Sequence, residues 1–304
     1  MQTFLGLPKS KPGDVAAGGI AIIGASNATP YQPGTPSHAE QGPAAIRAAS
    51  QRYADWHEHF DFDVDGQLLN ANFGPVVDTG DVACDPATPE HNRSKIEEAV
   101  SSVVRAGAIP VVLGGDDSVP IPVISAYRND GPVWIVQVDA HLDWRHERFG
   151  ERLGWSSPMR RASEMPWVSG MVQIGLRGVG SASRGDVDDA KAWGARIVTA
   201  RRIHAAGMEA ALGHVPPGAN VIISLDLDAL DPAFMPGVAA QVPGGLTYWQ
   251  IIDLFDGLAA RCRIVGCAIV ELAPQLDVNG VSGVTAARIA CNAISAIGQS
   301  RETD

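Results

Sequence analysis

Six side chains in this sequence have types and spacings suited to holding cations. Asp139, His141 and Asp143 recur at every second position in VDAHLD, and Asp226 and Asp228 do the same in SLDLDALDP. Asp117 is the second aspartate of the run GGDDS. In extended chain, residues i, i+2 and i+4 point to one side, so each set presents its polar groups together. Five carboxylates and one imidazole gathered at one place would repel, and burial would raise their proton affinity. Few basic residues stand near them in sequence, so bound divalent cations are the simplest means of offsetting that charge. Oxygen donors with one imidazole suit Mn, Mg, Fe or Ni; a structural zinc site prefers thiolates. Taken singly, an Asp-x-Asp is more often a turn or helix cap, and GGDDS could be a turn or a phosphate loop. Their shared placement, each after an apolar run, argues against those readings.

Those apolar runs read as strands: residues 19–24, 109–115, 133–139, 171–178, 220–228 and 264–272. Helical spacing marks 43–56, 93–107, 186–193, 248–260 and 284–297 between them. Near-continuous apolar strands alternating with helices predict a parallel sheet covered on both faces. The irregular stretches 27–41, 68–89 and 144–166 are long enough to be functional loops. Ligands of open α/β sheets bind beyond the carboxyl ends of the strands, where these polar residues fall.

The 304 residues suit one α/β domain spanning 1–304, with 45% hydrophobic and 19% charged residues. Cys84, Cys262, Cys267 and Cys291 form no CxxC pair and read as reduced thiols. The first residues lack the apolar core of a signal peptide, and no stretch approaches 18 apolar residues. A cytoplasmic location and no membrane partner are therefore expected. The net charge of −11 argues against nucleic acid and is compatible with a small cationic substrate.

Over nearly the whole chain the sequence resembles the ureohydrolases, the family of arginases, agmatinases and guanidino-acid hydrolases. The resemblance rests on residues 34–50 (GTPSHAEQGPAAIRAAS), VVLGGDDS, VDAHLD, SLDLDALDPAFMPGV, PGGLTY and VELAP. It implies a three-layer α/β/α fold with a parallel sheet of about eight strands, and two divalent metal ions, Mn2+ or Ni2+, sharing a hydroxide. Carried over by position, Asp139 and Asp226 would bridge both ions, Asp117 and Asp143 would complete one, and His141 and Asp228 the other. Asp143 would also orient the attacking hydroxide, and Glu271 would hold a substrate guanidinium. The implied reaction cleaves a guanidino C–N bond and releases urea, or an analogue, plus an amine. A homo- or hetero-oligomer, trimer or hexamer, is implied by the same resemblance.

Three departures stand out. Asp117 occupies a position that is histidine in the family's usual GGDHS, which makes the ligand set one charge more negative. Trp155, in GWSSPMR, stands where a histidine is usual; it could stack on a flat cation, while His146 could supply the missing imidazole or be an ordinary surface histidine. Ala239, Ala240 and Gln241 replace the usual residues of the loop after Asp231, which leaves a compact guanidino compound, guanidine or a biguanide open as substrate. An active amidinohydrolase is the first reading. A catalytically weak subunit that partners an active homologue is the alternative, and an amidase on the same scaffold is a third.

Overall fold

The computed structural model describes residues 2–69 and 74–300. Ten strands and nine helices follow in chain order among those residues. The strands are β1 (Ile20–Ala25), β2 (Phe60–Asp61), β3 (Gly66–Gln67), β4 (Val76–Val82), β5 (Ile109–Gly114), β6 (Val133–Val138), β7 (Val168–Leu176), β8 (Arg196–Thr199), β9 (Asn220–Asp226) and β10 (Arg263–Val270). The helices are α1 (Gly42–Ser50), α2 (Pro89–Arg105), α3 (Pro120–Ser125), α4 (Pro158–Ser163), α5 (Arg184–Trp193), α6 (Ala200–Ala206), α7 (Glu209–Leu212), α8 (Tyr248–Ala259) and α9 (Val281–Gln299). Eight strands form one sheet in the order β4-β1-β5-β10-β9-β6-β7-β8, and every pairing within it is parallel. β2 and β3 form a separate antiparallel hairpin.

Alternation along the strands builds two cores. Ile20 and Ile22, Val111 and Leu113, and Val221, Ile223 and Leu225 pack on one face with Ile46 of α1, Ile251 and Leu254 of α8 and Ile289 and Ile294 of α9. Ala21 and Ile23, Val112, Ile135 and Ile222 pack on the other with Ile96 and Val100 of α2, Val123 of α3 and Met159 of α4. A strand buried on both sides has no polar face, which is why these segments read as continuous apolar runs. Each of the larger of these side chains, Val, Leu, Ile and Met, contributes on the order of 1.5–3 kcal/mol of burial.

The expected three-layer architecture is observed, and the sequence reading missed the two edges of the sheet. β4 lies inside the stretch 68–89 that read as irregular, of which residues 70–73 fall outside the described set. Edge strands are half solvated: VVDTGDV buries only Asp78 fully, and β8 is four residues long with one buried side chain. Such segments lack an apolar run. The helix expected over 43–56 ends at Ser50 and tightens into a 3-10 turn over Gln51–Tyr53. α9 is long and apolar enough by composition to cross a membrane, contrary to the reading that no such stretch exists. It is a core helix, mostly buried and packed against α1 and α8. The four cysteines are free thiols, three of them buried.

Candidate metal and substrate site

The four central strands β5, β10, β9 and β6 are consecutive neighbours, and each delivers acidic residues at its carboxyl end. β5 leads to Asp116 and Asp117, β10 to Glu271, β9 to Asp226 and Asp228, and β6 to Asp139, His141 and Asp143. Sequence positions more than a hundred apart thus meet on one floor. Gly115 makes the approach of β1 possible, since a Cβ there would fall 1.8 Å from the Ser26 carbonyl oxygen. Asp143 (φ +49°) and Glu271 (φ +72°) adopt the left-handed region that non-glycine residues avoid. Such residues cost on the order of 1–3 kcal/mol and cluster at functional sites.

Two groups of donor atoms form there. Asp117, Asp139 and Asp143 place one oxygen each within 4.8 Å of one another, and Asp139, His141 and Asp228 do the same with two oxygens and an imidazole nitrogen. Asp139 belongs to both. Asp226 lies beside them, fully buried, accepting the Asp228 amide hydrogen at 2.7 Å. His141 Nδ1 lies 3.0 Å from Asp228 and 3.4 Å from Asp139. Beneath the floor, the Gln137 side-chain amide donates to both Asp139 and Asp143 at 2.8 Å, and Gln173 fixes it by donating to its oxygen at 2.6 Å. Arg177 pins the β9 exit from below, donating to the carbonyls of Asp228, Ala229 and Leu230 at 2.8–3.2 Å.

The electrostatics are those of an anion-rich floor. Burial, and then the charges of Asp143, Asp139, Glu271 and Asp228, push the Asp117 carboxyl well above the usual carboxylate range. Asp226 is raised by burial and by Asp228 and Asp139, and Asp143 by burial and by Asp139. Asp139 is raised by burial and Asp228, with partial relief from His141. For His141, burial disfavours the charge, but bonds to Asp139 and Asp228 prevail and hold its pKa at about 11. Oxygen donors with one imidazole match divalent cations, and Asp117 Oδ2 is buried without a hydrogen-bond partner among the described residues. A bound cation would satisfy that oxygen and offset the repulsion.

A cavity of about 450 Å3 opens over this floor, lined by Asp117, His141, Asp143, Asp226, Asp228 and Glu271 below. Its walls carry His38, Arg145, Arg148, Trp155 and the loop residues Ala239 and Ala240. Trp155 packs against Tyr31 with ring centroids 4.1 Å apart and meets the His38 ring edge-on at 5.4 Å. Arg148 lies over the Tyr31 ring at 5.3 Å and over Phe149 at 5.1 Å.

The arginase family model matches residues 19–296. This chain belongs to the arginase family. It is 33% identical over 220 residues to the human mitochondrial guanidino acid hydrolase, a match covering 70% of this chain and 62% of that protein, less than two thirds of the relative's length. It is 30% identical over 295 residues to the guanidinopropionase of Pseudomonas aeruginosa, covering 94% of this chain and 88% of that one. The solved structure of the proclavaminate amidino hydrolase from Streptomyces clavuligerus superposes with a TM-score of 0.82 at 25% identity, over 99% of this chain and 98% of that chain.

Against that family pattern, the structure gathers Asp117, Asp139, His141, Asp143, Asp226, Asp228, Glu271 and Trp155 around one cavity. His146 is exposed and does not line it, so the substitute imidazole suggested by its nearness in sequence is not there. The imidazole that joins His141 in this arginase-family cavity is instead His38, whose Nε2 pairs with Glu271. Residues 27–41 read from sequence as a functional loop, with no local pattern that singles out His38 or Tyr31. Contacts across 233 residues, as between His38 and Glu271, leave no local spacing signal.

Proposed function

We propose that this chain is a metal-dependent amidinohydrolase that cleaves the C–N bond of a small guanidino compound and releases urea, or an analogue, with an amine or ammonia. The observation that carries this reading is the pair of donor groups sharing Asp139 at a cavity whose floor also presents Glu271. Asp117, Asp143, His141 and Asp228, with Asp139 and Asp226 between them, would hold two divalent cations, manganese or nickel. When bound, the cations supply Lewis acidity for the addition of water to the amidino carbon. The acidic floor draws a planar cation inward. Glu271 keeps lone pairs for the guanidinium although each of its oxygens already has one partner, Asp117 N–H at 2.8 Å and His38. Asp143 orients the attacking water as a hydrogen-bond acceptor. Trp155 covers the flat face of the substrate.

The walls favour a substrate whose far end is neutral or anionic. Arg145 and Arg148 line the cavity, and among the described residues neither has a carboxylate within ion-pair distance. A second positive charge on the substrate would meet them unfavourably, and a carboxylate would pair with them. This agrees with the guanidino acids in the names of the relatives above. The test is urea release by the purified chain, loaded with Mn2+ or Ni2+, from guanidine, a biguanide, guanidino acids and agmatine. Release from at least one compound, lost in Asp226→Asn, is expected. No release from any of them by the metal-loaded chain would overturn the reading.

A further inference from the structure

C–N cleavage needs an acid as well as a nucleophile, because an amine leaves poorly as an anion. The cavity's lining holds few candidates. In the metal-loaded site proposed above, Asp117, Asp143, Asp226 and Asp228 are ionised cation ligands, and Glu271 is the carboxylate that receives the guanidinium. Arg145 and Arg148 do not give up protons near neutral pH, His141 is committed to Asp139 and Asp228, and among the described residues no lysine lines the cavity. His38 remains. Its side chain is 27% exposed, its ring edge packs against Trp155, and its carbonyl oxygen accepts from Gln275 at 2.7 Å. Nε2 pairs with Glu271, while Nδ1 has no protein partner among the described residues. Glu271 is itself fixed by the Asp117 amide.

Resting on the function proposed above, we propose that His38, oriented by Glu271, is the general acid that protonates the departing nitrogen. As water adds its oxygen to the amidino carbon and the urea carbonyl forms, the C–N bond breaks and its electron pair stays on nitrogen. That nitrogen takes the Nδ1 proton. His38 is left neutral, with its Nε2–H donated to Glu271. The water oxygen sheds two protons in becoming the urea carbonyl: one recharges the ring through solvent in the cavity, and the other passes through solvent to the released amine, which departs as its ammonium. Glu271 acts here as a positioning residue for the imidazole.

The surroundings agree. Burial opposes charge on the ring, yet the bond to Glu271 and the charges of Glu271, Asp116 and Asp228 prevail and raise its pKa above the ordinary 6.5. Arg148 is the cation on the same wall and acts in the opposite sense. The shift favours the acid form relative to a free imidazole, and that form is lost as pH rises through the raised value.

The experiment compares the metal-loaded full chain with His38→Asn and His38→Gln, using a substrate that yields urea and checking metal content and melting. The expected result is a kcat lower by about 10²–10⁴-fold with KM little changed. The alkaline limb of the kcat profile disappears, and added imidazole restores part of the rate. Variants that keep their metal and hold kcat within a few-fold of wild type, or retain the alkaline limb, would overturn the role of His38 while urea release by wild type still supports the function. A wild-type chain that releases no urea overturns both. Wild type alone gives a second reading: at neutral pH, kcat should depend weakly on leaving-amine basicity between alkyl- and arylguanidines. A steep dependence there refutes proton donation even if neither variant folds.

Discussion

Removing the metal should make the stability of this protein fall as pH rises. The oxygens of Asp117, Asp139 and Asp143 lie within 4.8 Å of one another. At that separation two ionised carboxylates repel by about 3.5 kcal/mol with an effective dielectric constant of about 20, and three pairs together by about 10 kcal/mol. The folded metal-free chain therefore keeps protons on these groups, in line with the raised values of Asp117, Asp139, Asp143 and Asp226. An acid raised by folding binds more protons in the folded state than in the unfolded one, so stability declines as pH climbs above the ordinary carboxylate range towards the folded value. Cations remove that penalty, and the loaded protein should not show the decline. At about 2.1 cal/mol/K per residue, 304 residues give an unfolding entropy near 0.6 kcal/mol/K, so one unrelieved pair lowers Tm by about 5 °C. The assay is thermal unfolding with chelator and with saturating Mn2+, from about pH 5 to about pH 8. A Tm gap that widens with pH by at least that amount is expected. A gap that stays constant or narrows would refute the electrostatic account of the floor.

Trp155→Ala should raise KM about tenfold with a smaller effect on kcat, because it strips the wall that stacks on Tyr31 and His38 without touching the acidic floor; steady-state kinetics measure it. Arg148→Glu should shift preference away from guanidino acids towards substrates with a second cation, read as a reversed ratio of kcat/KM for the two classes. Arg47→Met should cost about 3–5 kcal/mol, since Arg47 is buried and donates to Asp78 at 2.8 and 3.0 Å, and Asp78 would be left in the core without its counter-charge. Its Tm should drop by about 5–8 °C on the same entropy scale while activity at room temperature persists.

The parts of this protein legible in its sequence are those where a single element carries the signal. β1, β5, β6, β9 and β10 are buried on both faces and leave apolar runs. The period-two carboxylates Asp139, Asp143, Asp226 and Asp228 stand where those runs end. β4 and β8 were illegible because an edge strand is half solvated and need not be apolar. The walls of the cavity were illegible for a different reason. His38, Tyr31 and Trp155 meet only because loops following β1 and β6 converge, so proximity in the chain pointed to His146, which the loop turns out to solvent. Gln137 and Gln173, inside apolar strands, carried a polar signal that could have been followed. A buried amide must find partners, and these two hold the floor in place.

Metal stoichiometry tests the two-cation site most directly. Elemental analysis of the chain purified after growth with added manganese, and separately with nickel, should find two ions per chain, and Asp139→Asn, which removes the donor common to both groups, should lose them. One ion or none in the wild-type chain would contradict Asp117 as a working ligand and with it the proposed two-cation site.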